Sequence, residues 1–297
     1  MADLGEMGEA GSGVIGLAPA TSSQHIVDRL IAERGEKLVS SRHWPLIKPA
    51  LYKILRYREA VRLADELGPL PGPAAMDYIS RLLSLKLDII GLENVPRTGA
   101  FIIAANHPTG IADGVAVYDA LKTVRPDFAI FTNRDAIRIN PRLADFLIPV
   151  EWREELRDRA KMKETLRLTS RAFAEGRAVV IFPSGRIAYW QEGKLNERPW
   201  QTSAITLARK QGLPVLPVNV EARNSWLFYW FANSGFTELR DMTVFHELLN
   251  KRGKTFRIRF GPLIPNERIA EGDAMEVTAR LQDHCADRLA VDPEAVF

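Results

Sequence analysis

The chain has 297 residues, a length that suits one large α/β domain or two smaller domains, and its 46% hydrophobic and 26% charged residues exclude an intrinsically disordered protein. A formal net charge of +3 is too small by itself to indicate a nucleic-acid-binding protein, so no nucleic acid is expected as a partner. One cysteine and five widely separated histidines exclude a disulfide framework and a local metal-binding motif, and neither a metal nor a cofactor is expected.

The first 80 residues divide into a tail and a helical region. Residues 1–20 are rich in glycine, alanine and acidic residues without a regular hydrophobic period, which predicts a disordered tail. Helices are predicted from Thr21 to about Val39 and from Pro49 to about Leu67. Residues 21–80 are therefore expected to form a helical region that precedes the main domain.

Residues 42–63 interleave basic side chains with aromatic and aliphatic ones. The segment has six basic residues and one acidic residue, a local charge of +5. This mixture suits an anionic membrane surface, which is expected as a partner. The alternative is a solvated helix packed on the core, because Arg58 and Arg62 fall on the stripe that contains Leu51 and Leu55. The sequence has neither a run of 18 apolar residues nor a signal peptide, so a cytoplasmic location with peripheral association at the inner face of the membrane is expected.

Beyond residue 85, short apolar runs alternate with helical patterns. Strands are predicted at 85–90, 101–105, 128–132, 178–182, 215–220 and 256–260, and helices at about 113–123, 157–175, 202–211 and 271–290. The alternation predicts an α/β fold over residues 81–297, with a largely parallel or mixed central sheet flanked by helices and with a C-terminal helix. Cys285 shares one face of that helix with Val277, Leu281 and Leu289 and is predicted to be a core residue.

The segment Asn106-His-Pro-Thr-Gly-Ile-Ala-Asp113 joins a predicted strand to a predicted helix. Open α/β sheets bind their ligands at the carboxyl ends of strands. Gly110 lets the backbone bend, so that the Asp113 carboxylate can reach the His107 ring, fix its tautomer and leave the other nitrogen free to accept a proton. His107 and Asp113 are therefore candidate catalytic residues, and Asn106, Thr109 and Gly110 are candidate substrate-binding residues. The alternative is a structural turn histidine beside an aspartate that caps the helix.

A second predicted strand, 178–182, ends in the turn Pro-Ser184-Gly185-Arg186, at the same expected edge of the sheet as His107. The turn lacks both glycines of the Gly-x-Ser-x-Gly nucleophile pattern, which argues against Ser184 as a nucleophile. Arg186 can either bind an anionic group with its planar guanidinium or pair with a carboxylate of the protein. Ser184, Gly185 and Arg186 are candidate substrate-binding residues.

These blocks resemble glycerophosphate and lysophospholipid acyltransferases. The shared features are the Asn-His-Pro turn with its following aspartate, the strand that ends in Phe-Pro-x-Gly, and the strand Leu213-Pro-Val-Leu-Pro-Val-Asn219, in unbroken order over about residues 85–265. The resemblance implies that His107 is the general base that activates an acceptor hydroxyl for attack on an acyl thioester, and that Asp113 orients it. It also implies acyl-CoA or acyl carrier protein as the donor and a lysolipid or related polar lipid as the acceptor.

Three departures from the family pattern concern the acceptor. Five residues, where the family usually has four, separate His107 from Asp113, a spacing similar to that of a haemolysin-like or ornithine-lipid branch. The second family block is matched by Asn133-Arg134-Asp and loosely by residues 148–153, which makes Arg134 a candidate substrate-binding residue by resemblance. In the third block, Ser184 replaces a glutamate and Arg186 comes one position early. Because these blocks hold glycerol phosphate in the family, an acceptor without a phosphate is an open alternative.

Two other function classes remain open. One is a non-catalytic lipid- or membrane-binding module on the same fold, which would release no free thiol from an acyl thioester in the presence of a lysolipid. The other is a hydrolase that uses Ser184, which an active-site serine probe would label.

Overall fold

A seven-stranded mixed β-sheet forms the centre of the molecule, whose computed structural model describes residues 24–151 and 158–297. The strands in chain order are β1 (Lys86–Ile90), β2 (Phe101–Ala105), β3 (Phe128–Asn133), β4 (Leu147–Val150), β5 (Ala178–Ile181), β6 (Tyr189–Gln191), β7 (Lys194–Asn196), β8 (Val215–Glu221) and β9 (Thr255–Phe260). The order across the sheet is β1-β9-β8-β2-β5-β3-β4, while β6 and β7 pair with each other as a hairpin. The predicted fold class, a largely parallel or mixed sheet flanked by helices, is confirmed.

Helices lie on both faces of this sheet. They are α1 (Ile26–Arg34), α2 (Glu36–Val39), α3 (Trp44–Ile54), α4 (Tyr57–Leu67), α5 (Gly72–Leu83), α6 (Ile111–Leu121), α7 (Asp135–Ile139), α8 (Arg159–Ala174), α9 (Ser203–Gln211), α10 (Trp226–Asn233), α11 (Thr237–Met242), α12 (Val244–Leu249), α13 (Asn266–Ala270), α14 (Ala274–Asp283) and α15 (Leu289–Val291). Among the described residues, none of the helices has the length and apolar character needed to cross a bilayer.

The strands around the centre of the sheet share one direction. β2 pairs in parallel with β8 on one side and β5 on the other, β5 pairs in parallel with β3, and only the pairing of β8 with β9 is antiparallel. The carboxyl ends of β2, β3, β5 and β8 therefore meet at one edge of the sheet. The turns that follow β2, β3 and β5 contain the candidate site residues.

The central strands are buried on both faces, which explains why they read as continuous apolar runs. Along β2, Phe101, Ile103 and Ala105 pack against α5 and α6, while Ile102 and Ala104 pack against α9 and α14. These two apolar clusters fix the strand's register, because a shift by one residue would exchange its two faces. The site residues thus extend from a rigid platform.

The N-terminal helices differ from their predicted bounds. Arg56 has a φ of 55°, a left-handed conformation that ends α3, so the single helix predicted from Pro49 is two helices. Pro45 occupies the first turn of α3, and Pro49 lies inside that helix. α5 was not predicted, because the nearby prolines indicated an end of helix; Pro73 instead lies in the first turn of α5.

The structure bears on two of the predicted boundaries in the chain. The expected tail, residues 1–20, lies outside the described residues. The expected boundary at residues 80 and 81 falls inside α5, whose buried residues Ala75, Met76, Ile79 and Leu83 pack in the same apolar cluster as β2. The separation of a helical region from the acyltransferase domain therefore stays a proposal.

Other elements were also missed, namely β4, the β6–β7 hairpin and the helices α7, α10, α11, α12 and α13, and the C-terminal helix differs in detail from its prediction. β4 is a short edge strand that contains Pro149, which an edge position tolerates. The β6–β7 hairpin turns through Glu192 and Gly193, both with positive φ. The predicted C-terminal helix contains a π-helical turn at His284–Arg288. Cys285 lies in this turn with no exposed surface, which confirms it as a core residue.

Candidate active site

His107 lies two residues beyond β2, at the centre of the carboxyl edge of the sheet. Its backbone is fixed on both sides, because its N–H donates to Glu197 Oε1 and its carbonyl accepts from the Ala188 N–H at 3.0 Å. Its ring stacks on the Phe182 ring, with 4.4 Å between the ring centroids. The side chain keeps 19% of its surface exposed, so a substrate can reach it.

Asp113 has no exposed side-chain surface, and its carboxylate contacts the His107 ring. Its Oδ2 lies 3.0 Å from His107 Nδ1, which is within ion-pair distance. The two groups are poorly aligned for a hydrogen bond. Oδ2 also accepts from the N–H groups of Thr109 and Gly110, and Oδ1 accepts from Thr109 Oγ1 at 2.5 Å. This network fixes the carboxylate, and with it the histidine ring nitrogen that faces it.

Asp113 makes the contacts that both interpretations expect, one with the histidine ring and one with the start of the helix. Asp113 is the third residue of α6, and it accepts from the N–H of Gly110, the residue before that helix. It is thus a helix cap and a histidine neighbour together. Gly110 has a φ of 95°, and a Cβ there would lie 2.8 Å from Ile187 Cδ1, so the turn requires glycine.

The Pro-Ser-Gly-Arg turn after β5 lies beside His107, as the sequence predicts. Ser184 is buried, and its hydroxyl donates to the Arg186 carbonyl at 2.8 Å. Gly185 has a φ of 60°, which this tight turn needs. Arg186 is half-buried. Ser184 is therefore engaged within its own turn.

Two other candidate substrate-binding residues make contacts with the protein. The Asn106 side chain donates to the Val220 carbonyl at 2.9 Å and accepts from the Val220 N–H at 2.6 Å, which joins the ends of β2 and β8. Arg134 follows β3 and pairs with Glu164 of α8 at 2.7 Å. A substrate role for either stays a prediction. Of the loosely matching segment 148–153, residues 152 and 153 lie outside the described residues.

Glu197 is a site residue that the sequence did not indicate. It follows the β6–β7 hairpin, and its two carboxylate oxygens accept from the His107 N–H and from Trp200 Nε1. Burial raises the pKa of Glu197 above its usual value, and the two hydrogen bonds oppose this effect. Nothing in its sequence context, an ordinary charged loop, points to His107.

The described part of the chain contains no group of three or more histidine, cysteine, aspartate or glutamate side chains placed to hold a metal ion. The site contains a partly exposed imidazole with a buried carboxylate at its Nδ1. Such a pair accepts a proton at Nε2 and stabilises the imidazolium that forms.

Comparisons with known proteins show which proteins this chain is similar to. A family model described as Acyltransferase matches residues 86–221, which include every candidate site residue. The lyso-glycine lipid O-acyltransferase of Phocaeicola vulgatus is 31% identical over 197 residues, 64% of this chain and 68% of that protein. The lyso-glycine lipid O-acyltransferase of Bacteroides thetaiotaomicron is 26% identical over 221 residues, 72% and 79% of the two chains.

The chain was also compared with the solved structure of the 1-acyl-sn-glycerophosphate (LPA) acyltransferase PlsC from Thermotoga maritima. The two superpose with a TM-score of 0.45 at 16% sequence identity, and the match covers 88% of this chain and 96% of that chain. The family assignment rests on the Phocaeicola vulgatus relative, by its identity and coverage, together with the match over residues 86–221. The chain belongs to the acyltransferase family, and it is an O-acyltransferase that acts on lipid substrates.

Proposed function

We propose that His107 is the general base for transfer of an acyl group from an acyl thioester to a hydroxyl group of a lysolipid. The observation that carries this proposal is the 3.0 Å contact between His107 Nδ1 and the buried Asp113 carboxylate, at the carboxyl edge of the central strand. No hydrogen bond of Nε2 to a described residue competes for its lone pair. A positioned base of this kind contributes a rate factor of about 100 to 10,000.

The proposed reaction has two steps and no covalent enzyme intermediate. Nε2 accepts the proton of the acceptor hydroxyl while the oxygen attacks the thioester carbonyl carbon. The tetrahedral intermediate then expels the thiolate, which takes the proton from the imidazolium and leaves as a free thiol. Asp113 stabilises the imidazolium between these steps, because its carboxylate is fixed beside Nδ1.

For the acceptor, we propose a lysolipid with an amino-acid headgroup. The two curated relatives are named for lyso-glycine lipid, and the third block of this chain departs from the glycerol-phosphate pattern at Ser184 and Arg186.

For the donor, acyl-CoA and acyl carrier protein both supply the required thioester. Arg186 is proposed to face an anionic group of the acceptor, because a guanidinium binds carboxylates through paired N–H donors.

A serine hydrolase is the weaker candidate. Its nucleophile would be Ser184, which is 3% exposed and donates its hydroxyl proton to the Arg186 carbonyl. A nucleophilic serine instead needs its hydroxyl directed to a base. A non-catalytic module is also disfavoured, because both curated relatives are named as O-acyltransferases.

We propose that α3 contacts an anionic membrane surface. Leu46, Ile47 and Ile54 are exposed, Leu46 to 80%, while Leu51 and Leu55 pack against the neighbouring helices. Lys48 and Lys53 are exposed on the same helix. The break at Arg56 places Arg58 and Arg62 on a separate helix, where both are exposed, so they need not extend along an apolar stripe. Exposed aliphatic residues beside lysines are typical of helices that bind a membrane interface.

The proposed reaction is tested by mixing the purified protein with an acyl thioester and an acceptor and measuring thiol release and lipid product. The acceptors are an amino-acid lysolipid, lysophosphatidate and glycerol phosphate, and the donors are acyl-CoA and acyl carrier protein. Product with the amino-acid lysolipid supports the proposed acceptor. Product with lysophosphatidate alone contradicts it, and thiol release without any acceptor supports a hydrolase.

A further inference from the structure

A cavity of about 450 Å³ is lined by residues of β6, of the loop after β8 and of α10. Its walls are mainly aromatic and contain three polar side chains. The aromatic residues are Trp190, Trp226, Tyr229 and Trp230, and the polar residues are Arg223, Asn224 and Asn233. Trp226 is 73% exposed and Trp230 is 44% exposed, so the cavity opens to solvent along α10. An aromatic pocket with a few polar groups is the usual form of a small-molecule subsite.

Asn224 is the unusual residue of this pocket. It is 6% exposed, and neither Oδ1 nor Nδ2 of its side chain has a hydrogen-bond partner among the described residues, although its backbone N–H donates to Tyr229 Oη at 2.9 Å. Burying an unpaired amide is unfavourable, so the folding of the chain does not account for this side chain. A ligand that offers both a donor and an acceptor would satisfy it.

The pocket adjoins His107 through two connections. The Ala188 N–H donates to the His107 carbonyl, and Trp190, two residues further on, packs with Tyr229 at 5.9 Å between ring centroids. On the other side, Val220 is hydrogen-bonded to the Asn106 side chain, and the chain runs directly from β8 to Asn224. The pocket walls are thus continuous with the segments that position the imidazole.

The far wall of the pocket is fixed by a buried ionic cluster. Ser225, which caps α10, donates to both oxygens of Glu247, and Lys251 donates to the same carboxylate at 3.1 Å. Glu247 and Lys251 are both buried. Asn224 immediately precedes Ser225, so its position is set by this cluster rather than by its own side chain.

We propose that this pocket binds the headgroup of the acceptor through a secondary amide, with Asn224 Nδ2 donating to the amide carbonyl and Oδ1 accepting from the amide N–H. The inference rests on the proposed acceptor class and specifies which bond of it is recognised. Arg223 is exposed at the pocket and forms no hydrogen bond or ion pair within the described residues, so it can meet the carboxylate of the headgroup. A headgroup that is linked through an ester or a phosphate has no amide N–H to donate to Asn224 Oδ1.

The test compares Asn224→Leu with the wild-type enzyme on two acceptors that differ only in an amide or an ester linkage. Each lost hydrogen bond is worth about tenfold in binding. We expect the KM for the amide-linked acceptor to rise about tenfold or more, the KM for the thioester to stay unchanged, and the wild-type preference for amide over ester to disappear. Because Asn224→Leu removes no hydrogen bond within the protein, the melting temperature should be equal or higher.

A second variant keeps the test decisive if Asn224→Leu does not fold. Asn224→Asp retains the shape and the acceptor oxygens but removes the donor, and it should also raise the KM for the amide-linked acceptor. An unchanged acceptor KM, or a wild-type preference for the ester, overturns the inference. A raised thioester KM instead would assign the pocket to amides of the donor and overturn it as well. A wild-type enzyme that acylates neither acceptor would overturn the proposed function itself.

Discussion

The ring of His107 stacks on the ring of Phe182, with 4.4 Å between the centroids and 30° between the planes. His107 belongs to the turn after β2 and Phe182 to the turn after β5, and the parallel pairing of these two strands brings the turns together. The imidazole is thus oriented by a ring on one face and by the Asp113 carboxylate at Nδ1. Changes in the β2 turn and changes in the β5 turn are both expected to alter the position of this imidazole.

Gly110→Ala should lower both stability and activity. The left-handed backbone and the 2.8 Å approach to Ile187 would cost about 1–3 kcal/mol of unfolding free energy, and the Asp113 cap would shift with the turn. Gly114→Ala is the matched control, because a Cβ there has no heavy atom within 4 Å. In a helix that change should stabilise by about 0.5–1 kcal/mol. Denaturant unfolding measures the stability of each variant, and initial rates measure its activity. Equal changes in stability and activity for the two variants would contradict a strained turn at Gly110.

Glu197→Gln should reduce kcat while leaving the acceptor KM unchanged. Glutamine has one acceptor oxygen, so it can satisfy either the His107 N–H or Trp200 Nε1 but not both. A small displacement of the base lowers the rate by about tenfold or more. Glu192→Gln in the exposed β6–β7 turn is the control and should have wild-type kinetics. A changed acceptor KM with unchanged kcat would place Glu197 at the substrate instead of behind His107.

Replacing Lys48 and Lys53 by glutamate should weaken binding to anionic vesicles. Each basic residue near such a surface contributes about 1 kcal/mol, and the effect should decrease as salt concentration rises. Lys210→Glu at the end of α9 is the control, because this exposed lysine lies on a helix that packs in a different apolar cluster from α3. Vesicle sedimentation at low and high salt measures the difference. Equal binding by all three proteins would show that α3 does not contact the membrane.

The stability of the protein should fall as the pH falls below about 6.5, partly because of His284. This histidine has no exposed surface, and in the described part of the chain neither ring nitrogen has a hydrogen-bond partner. Burial lowers the pKa of His284, and the charge of Arg288 lowers it further. The unfolded chain therefore binds a proton at a higher pH than the folded chain does, and acid favours unfolding in the range between the two pKa values. His284→Phe should flatten the pH dependence of the melting temperature; an unchanged slope would contradict this role.

Much of the fold follows from local sequence patterns. β2, β5 and β8 are buried on both faces, so each is a short apolar run, and the turns that follow them carry the Asn-His-Pro and Phe-Pro-Ser-Gly motifs. The His107–Asp113 contact was predictable because both residues belong to one strand–helix turn. α5 was not, because prolines that begin a helix were interpreted as ending one.

The missed site residues depend on long-range packing. Glu197 contacts the backbone of a residue 90 positions away in the sequence, through a hairpin that had not been predicted. Asn224 differs from an ordinary loop asparagine only because it is buried without partners, a property that appears once the surrounding helices are in place. Neither residue has a local pattern that distinguishes it.

The central claim is that the imidazole of His107 removes the proton of a lysolipid hydroxyl during acyl transfer. The most direct measurement is the initial rate of O-acylated lipid formation, followed by mass spectrometry, for the wild-type enzyme and for His107→Ala at matched protein concentration, with a thermal melt of each. We expect His107→Ala to lower the initial rate by about 100-fold or more and to leave the melting temperature unchanged. This partly exposed side chain contributes a proton acceptor rather than core packing. A His107→Ala enzyme that folds and acylates lysolipid at near the wild-type rate would contradict the account.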